Sequence, residues 1–328
     1  MPRYLTGMIT TDYWRFPDFP YKTLSWSVEL TTTAASRREL VTYVVPGKSK
    51  RSPTGREIVV RANDRSDAER AAFLLQACTQ ILRGGAALWH FCGLTDVPLE
   101  PLTKERAEAE SGRTLFHSRD IPLACQMAVK AETDQRFVYA IANVWLSYRL
   151  FSIDPMDLDP GHTHVPSIPR PKHPAEQVGL ANALLLAYKA LEWLELDVRA
   201  SRENPSTING QWNPKVKDDL VDRLREAGVD LNEKFDWAVR GPITKLEEKH
   251  PPRAVYCSPW SYWLVRDVEV EVVDAIAHVE WLRDKLAAHR ASLELLEGLG
   301  IYEVANAQYL ARRLLLEALG FRSDPGTD

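Results

Sequence analysis

The second half of the chain carries the pattern that most limits its fold, because apolar residues recur there every three or four positions. This spacing places them on one face of an α-helix. It predicts helices over 136–151, 174–198 and 302–319. Six prolines from 155 to 174 exclude a continuous helix between the first two, because proline lacks the backbone N–H donor and restricts the residue before it. We therefore expect the second half to be a helical bundle.

The longest predicted helix runs from 259 to 292. Ser258 followed by Pro259 is a strong start signal, since serine caps helices and proline suits the first helical position. Its apolar positions are Leu264, Val268, Val272, Ala275, Val279, Leu282 and Leu286. The residues that we expect to be buried in the bundle are Leu184, Leu185, Leu264, Val268, Val279, Leu282 and Leu314.

Two shorter helices are predicted between these. One runs over 214–227 and ends at Gly228, a residue that commonly closes helices. Asn232 is a candidate cap for another helix that reaches Val239.

The N-terminal region has a different character. Residues 24–30 alternate apolar and polar, and β-branched residues dominate 40–45 and 57–60. Such runs, divided by turn residues, predict an antiparallel sheet. A helix then begins at Ser66 and stops at Gly84-Gly85. The fold class that we expect is α+β: a smaller N-terminal region with the sheet over residues 1–125, and a mainly α-helical bundle over residues 126–328.

Composition fits a globular protein, because 45% of the residues are hydrophobic and 26% are charged. The net charge of −4 at pH 7 gives no basic field. Proteins that hold duplex DNA mainly by neutralising phosphates are usually basic. Any contact with nucleic acid must therefore be local, or made by an assembled oligomer.

The cysteines are scattered and form no C-x-x-C pair, which argues against structural zinc and fits a reducing compartment. They are Cys78, Cys92, Cys125 and Cys257. The N-terminus has no apolar run of signal-peptide type, and no stretch approaches the length of a membrane-spanning helix. We expect a soluble, cytoplasmic protein without a membrane partner.

One motif in the long predicted helix carries chemistry: Arg283 is followed by the polar residue Asp284 and, five residues later, by His289. Here the chain resembles the HEPN superfamily, whose helical bundles carry an R-x(4–6)-H motif near their C-terminus, often with a polar residue after the arginine. The resemblance covers about residues 134–321. It implies a metal-independent endoribonuclease with Arg283, Asp284 and His289 as catalytic residues, no cofactor and no metal. It also implies an RNA substrate and a homodimer.

The biological role implied by the resemblance is that of a toxin or antiphage-defence effector. An antitoxin or a regulatory protein would be a possible partner. The N-terminal region has no counterpart in the resemblance.

These residue types suit RNA cleavage. A histidine titrates near neutral pH and can take the proton of a 2′-hydroxyl or give one to the leaving oxygen. An arginine offers a planar, charged fork to phosphate oxygens. Six residues along a helix correspond to about 600° of rotation and about 9 Å of rise, which leaves Arg283 and His289 roughly 120° apart. A composite site between two subunits explains this offset better than a site within one chain.

Structural roles explain the same residues in another way. His289 shares a helical stripe with Leu282 and Leu286, where a histidine is often a hydrogen-bonded core residue. Arg283 lies at the edge of that stripe, where arginines commonly form surface ion pairs. The alternative function is a non-catalytic HEPN-like module that binds RNA, a nucleotide or a protein partner. A scaffold protein with an accidental motif is a third possibility.

Two histidine groups outside the motif are candidate metal ligands. Glu271, His278 and His289 fall near one stripe, but the distance from His278 to His289 alone is about three helical turns, too far for a single ion. His162 and His164 lie in the proline-rich segment near Asp157 and Asp159, where a polar loop is the simpler interpretation.

Overall fold

The protein is α+β and mainly helical. The computed structural model describes residues 1–11, 21–32, 55–82, 84, 95–96, 114–116, 120–151, 173–209, 211–239, 266–287 and 299–321. The chain forms two compact units, Met1–Arg83 with Ala87–Gln135 and Gly84–Ala86 with Arg136–Asp328.

An antiparallel sheet organises the first unit. Its described strands are β1 (Arg3–Thr11), β2 (Tyr21–Lys22), β3 (Trp26–Thr32), β4 (Gly55–Ala62), β5 (Thr95–Asp96) and β6 (Thr114–Phe116). The order is β2-β3-β4-β1-β5, and β6 pairs with β1 in parallel. Val28 of β3 lies opposite Val60 of β4, and both side chains are fully buried. Two of the three predicted strand runs are confirmed, and the run over 40–45 lies outside the described residues.

Two helices complete this unit, α1 (Arg65–Leu82) and α2 (Asp120–Ala131). Asp64 caps α1 by accepting a hydrogen bond from the backbone N–H of Asp67 at 2.9 Å. Helix α1 packs against β4 and α2. The predicted boundary between residues 125 and 126 falls inside α2, whereas the compact unit extends to Gln135 because α2 packs on α1.

The second unit is built mainly from helices. They are α3 (Gln135–Leu150), α4 (Pro174–Trp193), α5 (Pro214–Glu226), α6 (Val272–Ala287) and α7 (Ile301–Ala318). Four strands accompany them in the described part: β7 (Thr207–Ile208), β8 (Gln211–Trp212), β9 (Lys234–Val239) and β10 (Arg266–Glu271). Within the described ranges, none of the helices has both the length and the apolar character needed to cross a bilayer.

The helix ends agree with their sequence signals. Pro174 and Pro214 each occupy the first turn of a helix, preceded by a capping side chain. Asn213 accepts a hydrogen bond from the backbone N–H of Lys215 at 3.2 Å. Gly228, just past α5, has a φ of 81°, a conformation that favours glycine at a helix end. The predictions of α3, α4, α5 and α7 are thereby confirmed, although α4 ends at Trp193 rather than at 198.

A buried polar contact joins α3, α4 and α7. The hydroxyl of Ser147 donates to the carbonyl of Ala183 at 2.6 Å. The amide of Gln308 donates to the Ser147 hydroxyl at 3.0 Å and to the carbonyl of Phe151 at 2.6 Å. Each group is satisfied inside the apolar core, so this contact fixes how the three helices meet.

The prediction of one helix over 259–292 is wrong. Residues 266–271 form strand β10, and the helix begins only at Val272. Val268 and Val270 alternate with charged residues, which is a strand period of two, and β-branched residues suit a pleated surface. Residues 259–265 lie outside the described part of the chain.

The predicted helix from Asn232 to Val239 is also wrong, because Lys234–Val239 is strand β9. It pairs antiparallel with β10, with Trp237 opposite Val268 and Phe235 opposite Val270. Phe235 and Trp237 alternate with polar or small residues, so both large side chains reach the buried side of the ribbon. Cross-strand pairs of an aromatic with a β-branched residue stabilise such a ribbon.

Most of the predicted core residues that can be assessed are buried: Leu184, Val279, Leu282 and Leu314 are fully enclosed. Leu185 is half-buried instead. Helix α4 is apolar on almost every side, so some of its apolar residues must face away from its neighbours. Leu264 and the side chain of Val268 lie outside what the structure describes.

Candidate functional site

Helix α6 carries Arg283 and Asp284 in its last turns. The helix is described as far as Ala287. His289 lies outside the described residues, so its position relative to Arg283 stays a prediction.

Arg283 is engaged on three sides. Its Nη2 lies 3.6 Å from Oε1 of Glu192, and its Nη1 lies 2.7 Å from Oδ1 of Asp284. The guanidinium carbon stands 4.5 Å from the ring centroid of Tyr188, a cation–π contact. The side chain is 26% exposed. Arg283 therefore links α6 to α4, and its side chain remains partly exposed.

Helix α4 supplies two of these contacts. Tyr188 and Glu192 are four residues apart and so share one face of the helix. Tyr188 is buried. Burial raises the pKa of its phenol, Glu280 acts in the same direction, and Arg283 opposes both. Lys189 of the same helix forms an ion pair with Glu192.

Glu280 is a buried acid one helical turn before Arg283. Burial raises the pKa of this carboxyl to about 8. Asp284 and Asp197 also raise this pKa by like-charge repulsion, whereas Arg283 lowers it. Glu280 is therefore a carboxyl group that gains or loses its proton near neutral pH.

Asp197, in the segment after α4, is held from α5. The Nη2 of Arg223 donates to the backbone carbonyl of Asp197 at 2.9 Å, and Arg223 also pairs with Asp219 at 2.8 Å. Burial raises the pKa of Asp197, although Arg223 opposes it. We name the group Tyr188, Glu192, Asp197, Glu280, Arg283 and Asp284 the Arg283 cluster.

Arg283 keeps its positive charge within this cluster. Burial disfavours it, but Tyr188, Asp284 and Glu192 more than compensate, so the pKa of the guanidinium is raised. The buried Nε of Arg283 meets no hydrogen-bond acceptor among the described residues. The guanidinium is a charged donor group that can bind an anionic oxygen, in competition with the carboxylates beside it.

The two described members of the predicted Glu271, His278 and His289 group lie in different surroundings. Glu271 is exposed at the end of β10, whereas His278 is buried within α6. The His278 ring meets Trp237 edge-on at 5.6 Å and stacks with Trp281 at 6.4 Å. This is the surrounding of a core histidine. His162, His164 and their acidic neighbours lie outside the described residues. Across the ranges that the structure describes, no group of three or more His, Cys, Asp or Glu residues could hold a metal ion.

The motif predicted Arg283 and Asp284 as site residues, and the structure brings them into contact with each other. Sequence reasoning missed Tyr188, Glu192, Asp197 and Glu280. The one signal for Glu280 is its spacing of three and four residues from Arg283 and Asp284, which places all three on neighbouring helical positions. Only the packing of α4 against α6 reveals the others.

Comparison of the chain with protein-family models, with curated proteins and with solved structures gave no match.

Proposed function

We propose that the chain is a metal-independent endoribonuclease of the HEPN type, with Arg283, Asp284 and His289 as its catalytic residues. The observation that supports this most is the surroundings of the Arg283 side chain. Its guanidinium is oriented by the Tyr188 ring and by Asp284, and the side chain as a whole is 26% exposed. A fixed, charged donor group at the surface is what stabilisation of a phosphate transition state requires.

The proposed reaction is an internal transfer. His289 takes the proton of a 2′-hydroxyl, and the oxygen attacks the adjacent phosphorus as the bond to the 5′-oxygen breaks. The 5′-oxygen receives the proton that His289 has taken up, which returns the histidine to its starting state, and the other product ends in a 2′,3′-cyclic phosphate. Arg283 donates to the phosphate oxygens as negative charge accumulates, and Asp284 keeps the guanidinium oriented. The role of toxin or antiphage-defence effector, with an antitoxin or regulatory partner, belongs to the same proposal.

Incubation of the full chain with RNA tests the reaction. We expect cleavage to persist in an excess of EDTA, since the proposed chemistry uses side chains alone. The 5′ fragments should end in cyclic phosphate and the 3′ fragments should begin with a hydroxyl, as end-labelling would detect. Activity that EDTA removes, or products with 5′-phosphate ends, would contradict the mechanism.

We expect the active form to be a homodimer with the Arg283–His289 stretch at or beside the two-fold axis. The reason is the offset of about 120° between the two positions along a helix, which disfavours a site within one chain. Light scattering at micromolar concentration measures the mass. Mixing the inactive Arg283→Ala and His289→Ala chains should restore part of the activity, because a mixed dimer holds one intact composite site. A fully active monomer would rule out this arrangement.

A non-catalytic module that binds RNA, a nucleotide or a protein partner is the second candidate. The observation that favours it is the engagement of Arg283 by Glu192, Asp284 and the Tyr188 ring, which also fits a purely structural link between α4 and α6. Retention of labelled RNA without any cleavage would support this candidate over the nuclease.

A further inference from the structure

We propose, resting on the proposed nuclease function, that Glu280 is a positioning residue for Arg283. Its buried carboxyl determines whether the guanidinium is drawn into the contact between α4 and α6 or stays available to a phosphate oxygen.

The positions of the hydrogen-bonding groups support this role. Glu192 and Asp284 lie beside Nη2 and Nη1 of Arg283, whereas its buried Nε has no acceptor among the described residues. Glu280 precedes Arg283 by one turn, so its carboxyl lies on a neighbouring part of the same helix surface. It is only 8% exposed, on the buried side of α6. A charged carboxylate there offers the inner part of the guanidinium the acceptor that it lacks.

The surrounding charges make the ionisation of Glu280 unfavourable. Asp284 faces it from its own helix and Asp197 from the segment after α4, while Arg283 is the opposing cation. On α4, Tyr188 interacts electrostatically with Glu280, and the charge of Glu192 favours the charged form of Arg283. From α5, Arg223 acts on Asp197. Arg283 is thus the cation beside several carboxylates, and burial makes a further negative charge on Glu280 still less favourable.

The protonation state therefore changes across an accessible pH range. The pKa of Glu280, about 8 in the folded protein, means that the group is mostly neutral at about pH 7 and mostly charged at about pH 9. The neutral acid leaves the guanidinium shared between Glu192 and Asp284. The charged form adds a third carboxylate that pulls Arg283 inward and competes with substrate phosphate. Cleavage should accordingly fall as Glu280 ionises.

The first measurement concerns stability and does not depend on any activity. The pKa of the Glu280 carboxyl in the folded protein lies above its ordinary value of 4.5, so between about pH 4.5 and about pH 8 the folded protein keeps a proton that the unfolded chain has released. Stability should decline as pH rises through that window. Glu280→Gln, which mimics the neutral acid in shape, should remove that part of the decline in thermal unfolding profiles. Glu226→Gln, at an exposed site on α5, is the matched control and should keep the wild-type profile.

The second measurement is the pH profile of RNA cleavage by the full chain. At about pH 9 roughly one tenth of Glu280 is still protonated, so Glu280→Gln should cleave about tenfold faster than wild type there and about equally at neutral pH. Asp197→Asn retains Glu280 but removes a like charge, which lowers the pKa of Glu280. The cleavage rate of this variant should therefore still fall as the pH rises, but at a lower pH than in wild type. This second variant also covers the case in which Glu280→Gln fails to fold.

The outcomes separate the inference from the function on which it rests. Wild type and Glu280→Gln with parallel stability profiles would overturn the inference, because Glu280 would not titrate in this range. Different stability profiles with superimposed cleavage profiles would overturn the positioning role, since the titration would not reach Arg283. A wild-type protein that cuts no RNA at any pH would instead refute the nuclease itself, and the positioning role with it.

Discussion

Replacing Arg283 or His289 by alanine is expected to abolish RNA cleavage. General acid–base catalysis by one side chain contributes about 10²–10⁴-fold, and one preorganised donor to a charged transition state contributes about 10²–10³-fold. Losses of this size are plain in a gel assay. Arg225→Ala is the matched control, because Arg225 is an exposed arginine on α5 with its own ion pair to Asp222 at 3.0 Å. That variant should cleave RNA at the wild-type rate.

The stability of the same variants distinguishes catalysis from structure. Arg283→Ala removes two partly exposed ion pairs, to Glu192 and Asp284, and a cation–π contact. Each is worth about 1 kcal/mol or less, so the protein should remain folded. If His289 is a core histidine instead, His289→Ala should lower the melting temperature through a cavity and a lost hydrogen bond. Folded Arg283→Ala and His289→Ala proteins that cut RNA at the wild-type rate would contradict the proposed catalytic roles.

The secondary structure was predictable where local signals sufficed. Helices α4, α5 and α7 each combine apolar periodicity with a residue that starts or ends a helix, such as Pro174 or Gly320. Those signals act within a few residues, so the sequence alone reveals them. The strands β3 and β4 were predictable for the same reason, β3 from apolar–polar alternation within one short run and β4 from a short run of β-branched residues.

The error at β10 has a physical cause. Val268 and Val272 fit a helical spacing of four, while Val268, Val270 and Val272 also fit a strand spacing of two. What decides between them is the pairing of β10 with β9, whose residues lie about thirty positions earlier in the chain. No local pattern contains that information.

The candidate site was predictable only in part for a similar reason. A motif along one helix identifies Arg283 and Asp284, because their relation is local. The residues around them come from α4 and from the segment after it: Tyr188 contacts Arg283, and Asp197 raises the pKa of Glu280. The raised pKa of Glu280 is a product of burial and of those neighbours, so it appears only once the helices are packed.

Replacing Trp237 by alanine is expected to destabilise the protein by about 3–5 kcal/mol, which is a large share of the stability of an ordinary domain. Trp237 is fully buried, lies opposite Val268 in the ribbon of β9 and β10, and touches His278 of α6 edge-on. Its removal leaves a cavity between the ribbon and the helix that carries Arg283.

Urea denaturation of the full chain measures this loss, with Ile208→Ala at a half-exposed position as the control. That control should change stability by no more than about 0.5 kcal/mol, because little apolar area is lost from the interior. The strand assignment predicts the large difference, since only a strand directs both Phe235 and Trp237 to the buried side of the ribbon. Equal effects of the two variants would mean that the ribbon does not pack against α6, and the Arg283 helix would then be supported by its contacts with α4, α5 and α7.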